Sequence, residues 1–342
     1  MDPHGAPHVT IGEAMVVLYP EGHRPLAEAE AFGSDVGGAE FNVATSLARL
    51  GVPTAWLSRL GDDGFGERIR NAAAEYGVDA SAVERDATRP TGLYIKESTL
   101  GPAGHTTRMH YYRRDSAASA IGFETFATGP AAALLQRAAL VHTSGITAAL
   151  APSVASAVAR LREVVGPDRV LSVDLNFRPR LWQDRDTAAL DALVGRADLL
   201  FAGHDEAEAH FGHAAPERFF AGNPQLATLV LKDDVRAAAV HRRDGDVSTV
   251  PCLTVDVVEP VGAGDAFAAG FLCGRAEGRD DIASLRLGHA LAALALIAHG
   301  DRPVTVPSRA ERDRIAAASD DEWSHWSVHA GALPWWDAEA VA

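Results

Sequence analysis

The segment Glu259-Pro260-Val261-Gly262-Ala263-Gly264-Asp265-Ala266-Phe267 holds the residue types best suited to chemistry in this chain. Glycine and alanine carry little bulk, so backbone N–H groups can close on an anion. The alanine-rich run that follows predicts a helix with an electropositive N-terminus, a good place for phosphate. Gly262, Ala263 and Gly264 then supply the anion hole. Asp265 falls in the first helical turn, where the dipole favours an ionised carboxylate that can take a proton at neutral pH. Two plainer readings share this spacing. A dinucleotide-binding GxGxxG would need glycine at 267, which is phenylalanine. A glycine-rich cap with a helix-stabilising aspartate is the commonest meaning of G-x-G-D in isolation and is the reading that spacing alone favours.

Two other stretches could recognise an anion. Guanidinium groups hold a carboxylate in bidentate geometry, and Tyr111-Tyr112-Arg113-Arg114 and Asp174-Leu175-Asn176-Phe177-Arg178 bring arginines from separate elements. Strand alternation places Arg113 with Tyr111 and turns Arg114 to the opposite face. If the extended chain continues past Val173, Asp174, Asn176 and Arg178 share one side. The only lysines are Lys96 and Lys232, and neither sits in a GxxxxGK[ST] phosphate loop. His204-Asp205-Glu206-Ala207-Glu208-Ala209-His210 reads as an exposed acidic helix face, with no transition-metal site.

These segments need a frame. The 342 residues are 47% hydrophobic and 23% charged, enough for one large α/β unit with a filled core. Apolar runs at 9–18, 54–60, 140–143, 170–175, 199–202 and 226–231 read as strands. They alternate with helices such as 39–50, 64–76, 263–275 and 282–299, implying a doubly wound, mostly parallel sheet. Residues 91–97 and 106–113, joined by Gly101-Pro102-Ala103-Gly104, read as a β-hairpin leaving that body, suited to a lid or an interface between copies. After Pro307 comes a polar helix and a tail with Trp323, Trp326, Trp335 and Trp336, expected to pack on the body or a partner subunit. A net charge of −15 argues against nucleic-acid or anionic-membrane partners. No apolar stretch is long enough to span a bilayer and no signal peptide is visible from Met1 to His8. Cys252 and Cys273 lack CxxC spacing; a cytoplasmic location follows as the expectation.

Val258-Glu259-Pro260-Val261-Gly262-Ala263-Gly264-Asp265 resembles the C-terminal signature of the ribokinase-like (PfkB) carbohydrate kinases. Gly37-Gly38-Ala39-Glu40-Phe41-Asn42-Val43-Ala44, ending in Leu50-Gly51, resembles their N-terminal signature. Two signatures in the right order are far more specific than one. Within that family, 90–97, 111–119 and 174–182 are similar to 2-keto-3-deoxygluconate kinases. The resemblance implies a ribokinase-like α/β fold over residues 1–312, a β lid contributed by about 13–38 and 88–116, and a separate 313–342 extension. It implies ATP and Mg2+, with a sugar acid held by Gly37, Gly38, Asn42, Tyr94, Tyr111, Arg113 and Arg178 and deprotonated by Asp265. Asn176, Lys232, Asp234 and His289 are expected near the nucleotide, and Glu206 near the metal. The chain departs from the family at Lys232-Asp233-Asp234-Val235-Arg236-Ala237, where two glycines are missing, and at Gly203-His204-Asp205-Glu206, where an asparagine is missing. A kinase for a neutral sugar such as fructose or ribose stays open, as does a catalytically weak sugar-acid-binding regulator.

Overall fold

The structure is a computed structural model that describes residues 5–101, 104–183 and 185–336. Residues Met1–His4 and the Pro102-Ala103 tip of the expected hairpin lie outside the described residues.

Along the first third of the chain the strands are β1 (His8–Ile11), β2 (Met15–Pro20), β3 (Phe32–Gly37), β4 (Thr54–Leu57), β5 (Arg59–Gly61), β6 (Glu84–Asp86), β7 (Leu93–Gly101) and β8 (Gly104–Tyr112). There follow β9 (Leu140–Ser144), β10 (Val170–Asp174), β11 (Leu199–Gly203), β12 (Thr228–Asp233), β13 (Ala237–Arg242) and β14 (Val247–Pro251). Eight strands form one sheet in the order β14-β13-β12-β11-β10-β9-β1-β4. It is parallel from β12 to β4, and β13 and β14 pair antiparallel at one edge. Helices cover both faces, so strand residues are buried on both sides; β11 is apolar throughout, while β9 and β10 also bury His142, Thr143 and Ser172. Leu200 and Ala202 point into one core, while Leu199 and Phe201 point into the other.

A second, four-stranded sheet, β3-β2-β7-β8, stands off this body. The expected single strand across 9–18 is instead two strands in two sheets, because the chain turns at Gly12–Ala14. Gly12 leaves no space for a side chain: a Cβ there would come within 2.0 Å of Glu40 Oε2. The run 54–60 likewise divides into β4 and β5.

Two of the four longest described helices begin with a side-chain cap that consumes a free N–H. Asp63 accepts from Gly66 N at 2.7 Å, and Asp280 accepts from Ala283 N at 2.8 Å. Helix Ala263–Ala276 differs. Its cap is Gly262, left-handed at φ 84°, with no side chain to offer. Its first-turn N–H groups have no intrahelical acceptor and are therefore left for something else.

The expected boundary at 312/313 falls inside helix Arg309–Ala317. Beyond it, Trp323 and Trp335 are buried in the same core as the helices 263–276 and 281–296. Trp323 Nε1 donates to Pro251 O on β14 at 2.9 Å. Trp335→Ala should therefore cost about 3–5 kcal/mol of stability, read as a lowered urea midpoint. A midpoint within error of the parent would mean that the tail is not part of the core. No helix among the described residues is long and apolar enough to cross a membrane.

Candidate active site

The C-terminal ends of the central parallel strands, the start of helix 263–276 and the small sheet enclose a cleft of about 430 Å³. Open parallel sheets bind ligands at this end of their strands. The two signature segments meet here: Asn42, in the first turn of helix Ala39–Arg49, donates from Nδ2 to Asp265 Oδ2 at 2.9 Å. No local sequence pattern contains that contact, which spans 223 residues.

Asp265 lies half-buried at the cleft wall. Its electrostatics correct the expectation of an ionised carboxylate. Loss of water pushes its pKa up to about 8; the Asn42 hydrogen bond opposes that, and Asp174, Glu40 and Asp301 add to it. Burial among like charges outweighs the helix N-terminus.

Gly262 packs against backbone: a Cβ there would sit 2.0 Å from Asp301 O. Gly38 is similarly confined, since its Cβ would meet Glu13 O at 2.2 Å. Gly37, expected at the substrate, does not line the cleft. It lies under Tyr94 Oη and Asp301 Oδ2, which a Cβ would approach to 2.7 and 2.9 Å.

Tyr94, Tyr111 and Arg113 enter the cleft from the small sheet, and Asp174, Asn176 and Arg178 from the end of β10. These last three do share a side, although not by strand alternation: β10 ends at Asp174 and Asn176 is left-handed at φ 38°. Arg114 is exposed and lines a smaller cavity that adjoins the cleft at Tyr111, Arg113 and Ile146. The Arg113 guanidinium lies 5.8 Å from the Tyr111 ring. Burial raises the Tyr111 phenol, Arg113 and Arg178 oppose that and Asp301 adds to it; all three cleft residues Tyr111, Arg113 and Arg178 line the same cavity wall. Neither guanidinium is unpartnered. Arg113 Nη2 lies 2.5 Å from Glu13 Oε2, and Arg178 Nη1 donates to Glu206 Oε1 at 2.5 Å. Tyr94 is buried and donates from Oη to Asp301 Oδ2. Burial, with Asp301 adding to it, raises its phenol strongly.

Lys232, at the end of β12, reaches Asp174 Oδ2 at 3.2 Å. Burial pulls its ammonium down, yet Asp174 and Glu206 outweigh that and the net shift is upward, so it stays charged. Glu206, expected at a metal, accepts from Arg178 and, through Oε2, from Gly203 N at 3.3 Å. Its carboxyl is raised, first by burial. The described residues hold no group of three His, Cys, Asp or Glu side chains placed to bind a metal. Asn176 Oδ1, buried without a partner beside Asp174 and Lys232, nevertheless fits a metal held mainly by phosphates and water.

A second cavity of about 640 Å³ adjoins the cleft and shares Lys232, Pro260 and Gly264 with it. Asp234 and His289 line it, together with Phe267, Cys252 and Leu253. His289 Nε2 contacts Val250 O at 3.1 Å, and burial holds its pKa at about 4, so the ring is neutral. Asp233 does not face this cavity; it accepts from Arg236 Nε at 2.6 Å in an exposed ion pair. One of the two additional carboxylates is thus neutralised outside. Asp234 closes the β12–β13 turn in a left-handed conformation, φ 47°, where the family has glycine.

Sequence patterns did not single out Glu13, Glu40 or Asp301 as site residues. Glu40 Oε1 accepts from Ser144 Oγ at 2.6 Å and Thr147 Oγ1 at 2.8 Å, and burial raises it. Glu13 and Asp301 lie in the connections after β1 and after helix 281–296, where no periodicity marks a face.

The arrangement offers two joined cavities with an uncapped helix N-terminus, a lysine and a hydrogen-bonded carboxyl where they meet. Residues 8–309 match the model of the pfkB family carbohydrate kinases. The 2-dehydro-3-deoxygluconokinase of Bacillus subtilis is 32% identical over 299 residues, covering 86% of this chain and 90% of its own. The 2-dehydro-3-deoxygalactonokinase of Haloferax volcanii is 31% identical over 310 residues, covering 89% and 95%. In fold, the chain resembles the fructokinase with bound ATP from Xylella fastidiosa, at a TM-score of 0.76 and 24% identity over 90% of this chain and 97% of that one. The joining of two distant signatures at Asn42 and Asp265 thus has its explanation in descent as well as in geometry: this protein belongs to the pfkB family of carbohydrate kinases.

Proposed function

We propose that this protein transfers the terminal phosphoryl group of ATP to 2-keto-3-deoxy-D-gluconate (2-dehydro-3-deoxygluconate), forming the 6-phosphate. The observation that carries the acceptor is that Arg113 and Arg178, from separate elements, both line the cleft that also holds Tyr111 and Asp265. A sugar acid bound there can set its carboxylate against the guanidinium groups and its far hydroxyl against Asp265. The names of the Bacillus and Haloferax relatives support the same acceptor class.

In this reading Asp265 takes the hydroxyl proton, the hydroxyl oxygen bonds to the γ-phosphorus, and the bond from that phosphorus to the bridging oxygen of ADP breaks. Phosphoryl transfer asks little covalent help of a protein; alignment and charge stabilisation do most of it. The unspent N–H groups at the start of helix 263–276 stabilise the developing charge, and Lys232 adds a cation where the two cavities join. Mg2+, when bound with the nucleotide, would neutralise phosphate charge, with Asn176 and Glu206 as its protein neighbours. Asp234 and His289 would border the nucleotide. The small sheet acts as the lid, with Tyr94, Tyr111 and Arg113 closing over the sugar. Exposed Tyr19, Phe32 and Tyr112 on that sheet support pairing with a second copy. The free thiols Cys252 and Cys273 support a cytoplasmic setting.

One observation favours a neutral sugar such as fructose or ribose instead. Each guanidinium already faces a carboxylate, Glu13 or Glu206. The test is ADP release with a panel of sugars and sugar acids. Arg113→Gln or Arg178→Gln should cost the keto acid about tenfold to a hundredfold in kcat/KM, the scale of one charged hydrogen bond, and leave neutral sugars nearly unchanged. Equal losses on both classes would sink the sugar-acid reading.

A further inference from the structure

We propose that Lys96 is a positioning residue that latches the small sheet onto the phosphoryl-transfer loop, so that the anion hole is complete only with the lid seated. The proposal rests on the reading of Gly262–Asp265 as the phosphoryl-transfer segment.

The whole surface of this chain relies on arginine for positive charge. Its two lysines are both withdrawn inside, and both sit among carboxylates at the joints of the site. Lysine brings a compact point charge on a flexible stem that two acids can share. Lys232 joins the two cavities. Lys96, on β7 two residues after Tyr94 and so on the same face of the strand, is 9% exposed and has no part in the chemistry described above.

Its contacts run in one direction, from lid to loop. Lys96 Nζ lies 2.9 Å from Glu259 Oε2 and 3.3 Å from Asp301 Oδ1. Glu259 stands three residues before Gly262 in the connection that delivers helix 263–276. Asp301 is gripped a second time from the lid by the Tyr94 hydroxyl. The backbone of Asp301 is the surface against which Gly262 packs. The lid therefore holds the phosphoryl-transfer loop at two points: directly through Glu259, and through Asp301 at the glycine that starts the helix. A third contact follows on the neighbouring residue, where Arg302 Nη2 donates to Asp35 Oδ1 on β3 at 2.8 Å.

The charges make this latch conditional. One ammonium faces two carboxylates that are themselves 9% and 8% exposed, and Glu259 Oε1 is buried with no hydrogen-bond partner. With Lys96 drawn away, Glu259 and Asp301 repel each other in a place water reaches poorly, and a buried charge that loses its partner is strongly disfavoured. The two acids then separate, and Gly262 moves with them. A displacement of about 1 Å at a reacting centre can cost about a hundredfold in rate. Seating the lid over the sugar and assembling the anion hole are thus one event. An enzyme built this way keeps its phosphoryl-transfer loop incomplete until the acceptor is covered.

The experiment compares the full-length wild type with Lys96→Met and Lys96→Ala, all checked for fold by circular dichroism, with 2-keto-3-deoxygluconate and ATP. The expected result is a fall in kcat of about a hundredfold with sugar-acid KM little changed, because Tyr111 and the two arginines still bind it. In Lys96→Ala, ammonium or methylammonium chloride should restore turnover with a saturating dependence. Tetramethylammonium, too large for the gap, should not, and the wild type should respond to none of them. Wild-type turnover in Lys96→Ala would overturn the latch. So would a loss of kcat in both variants that no small ammonium ion restores, since that outcome marks Lys96 as a packing residue only. A wild type that transfers phosphate to no sugar acid or sugar would instead remove the reading on which the proposal rests.

Discussion

Asp265→Asn is expected to lower turnover by about 10²–10⁴-fold while leaving sugar-acid binding in place, the range a positioned general base supplies. Asparagine preserves the shape and can still accept from Asn42, so the loss isolates proton transfer. Steady-state ADP release and calorimetric titration of the sugar acid separate the two effects; turnover like that of the parent would remove Asp265 as the base. The raised carboxyl adds a pH signature. The base works only when ionised, and its pKa is pushed up to about 8, so kcat/KM should fall as pH drops below about 8, and the asparagine variant should lack that limb. Stability runs the opposite way. A carboxyl with a folded-state pKa above its unfolded value contributes stability at low pH that is lost as pH rises through 8. The asparagine variant should therefore melt higher than the parent above pH 8.

Gly262→Ala is expected to be nearly as damaging, for a reason that involves no functional group. The residue is left-handed at φ 84°, and an added Cβ would lie 2.0 Å from a backbone oxygen rather than from the end of a flexible side chain. The Asp301 carbonyl cannot swing aside without moving the lid contacts that grip it. The helix start must shift instead, and the anion hole moves with it. Loss of one preorganised donor costs about 10²–10³ in turnover. The measurement is kcat alongside the far-ultraviolet spectrum, and a folded Gly262→Ala with parental kcat would show that the N–H groups of this turn do not contribute.

Much of this site was legible in the sequence because its strongest signals are local. Gly262–Asp265 announces a helix start through bulk and propensity alone, and the strands of the main sheet follow from apolar runs. What stayed hidden is relational. Asn42 and Asp265 meet across the fold, and nothing near either residue encodes the other. Glu13 and Asp301 lie in connections where burial comes from the crossing of two sheets. The Val9–Leu18 run reads as one strand because apolar residues lie on both sides of Gly12–Ala14, whereas the close packing of Glu40 on Gly12, where the chain turns, is a contact from elsewhere in the fold. The state of Asp265 was misjudged for the same reason. The helix dipole is visible in one segment; the burial that strips water from the carboxyl, and the like charges of Asp174, Glu40 and Asp301 beside it, are not.

The confinement of both lysines to the site has a practical consequence. Amine-directed acylating reagents find no lysine on the outer surface of this enzyme, and the side chains they can reach stand at the lid joint and at the seam between the two cavities. Acylation at Lys96 requires the small sheet to lift, since its ammonium is otherwise enclosed by Glu259 and Asp301. Mass spectrometric counting of label at that one position over time would turn the rarity of lysine into a clock for lid opening.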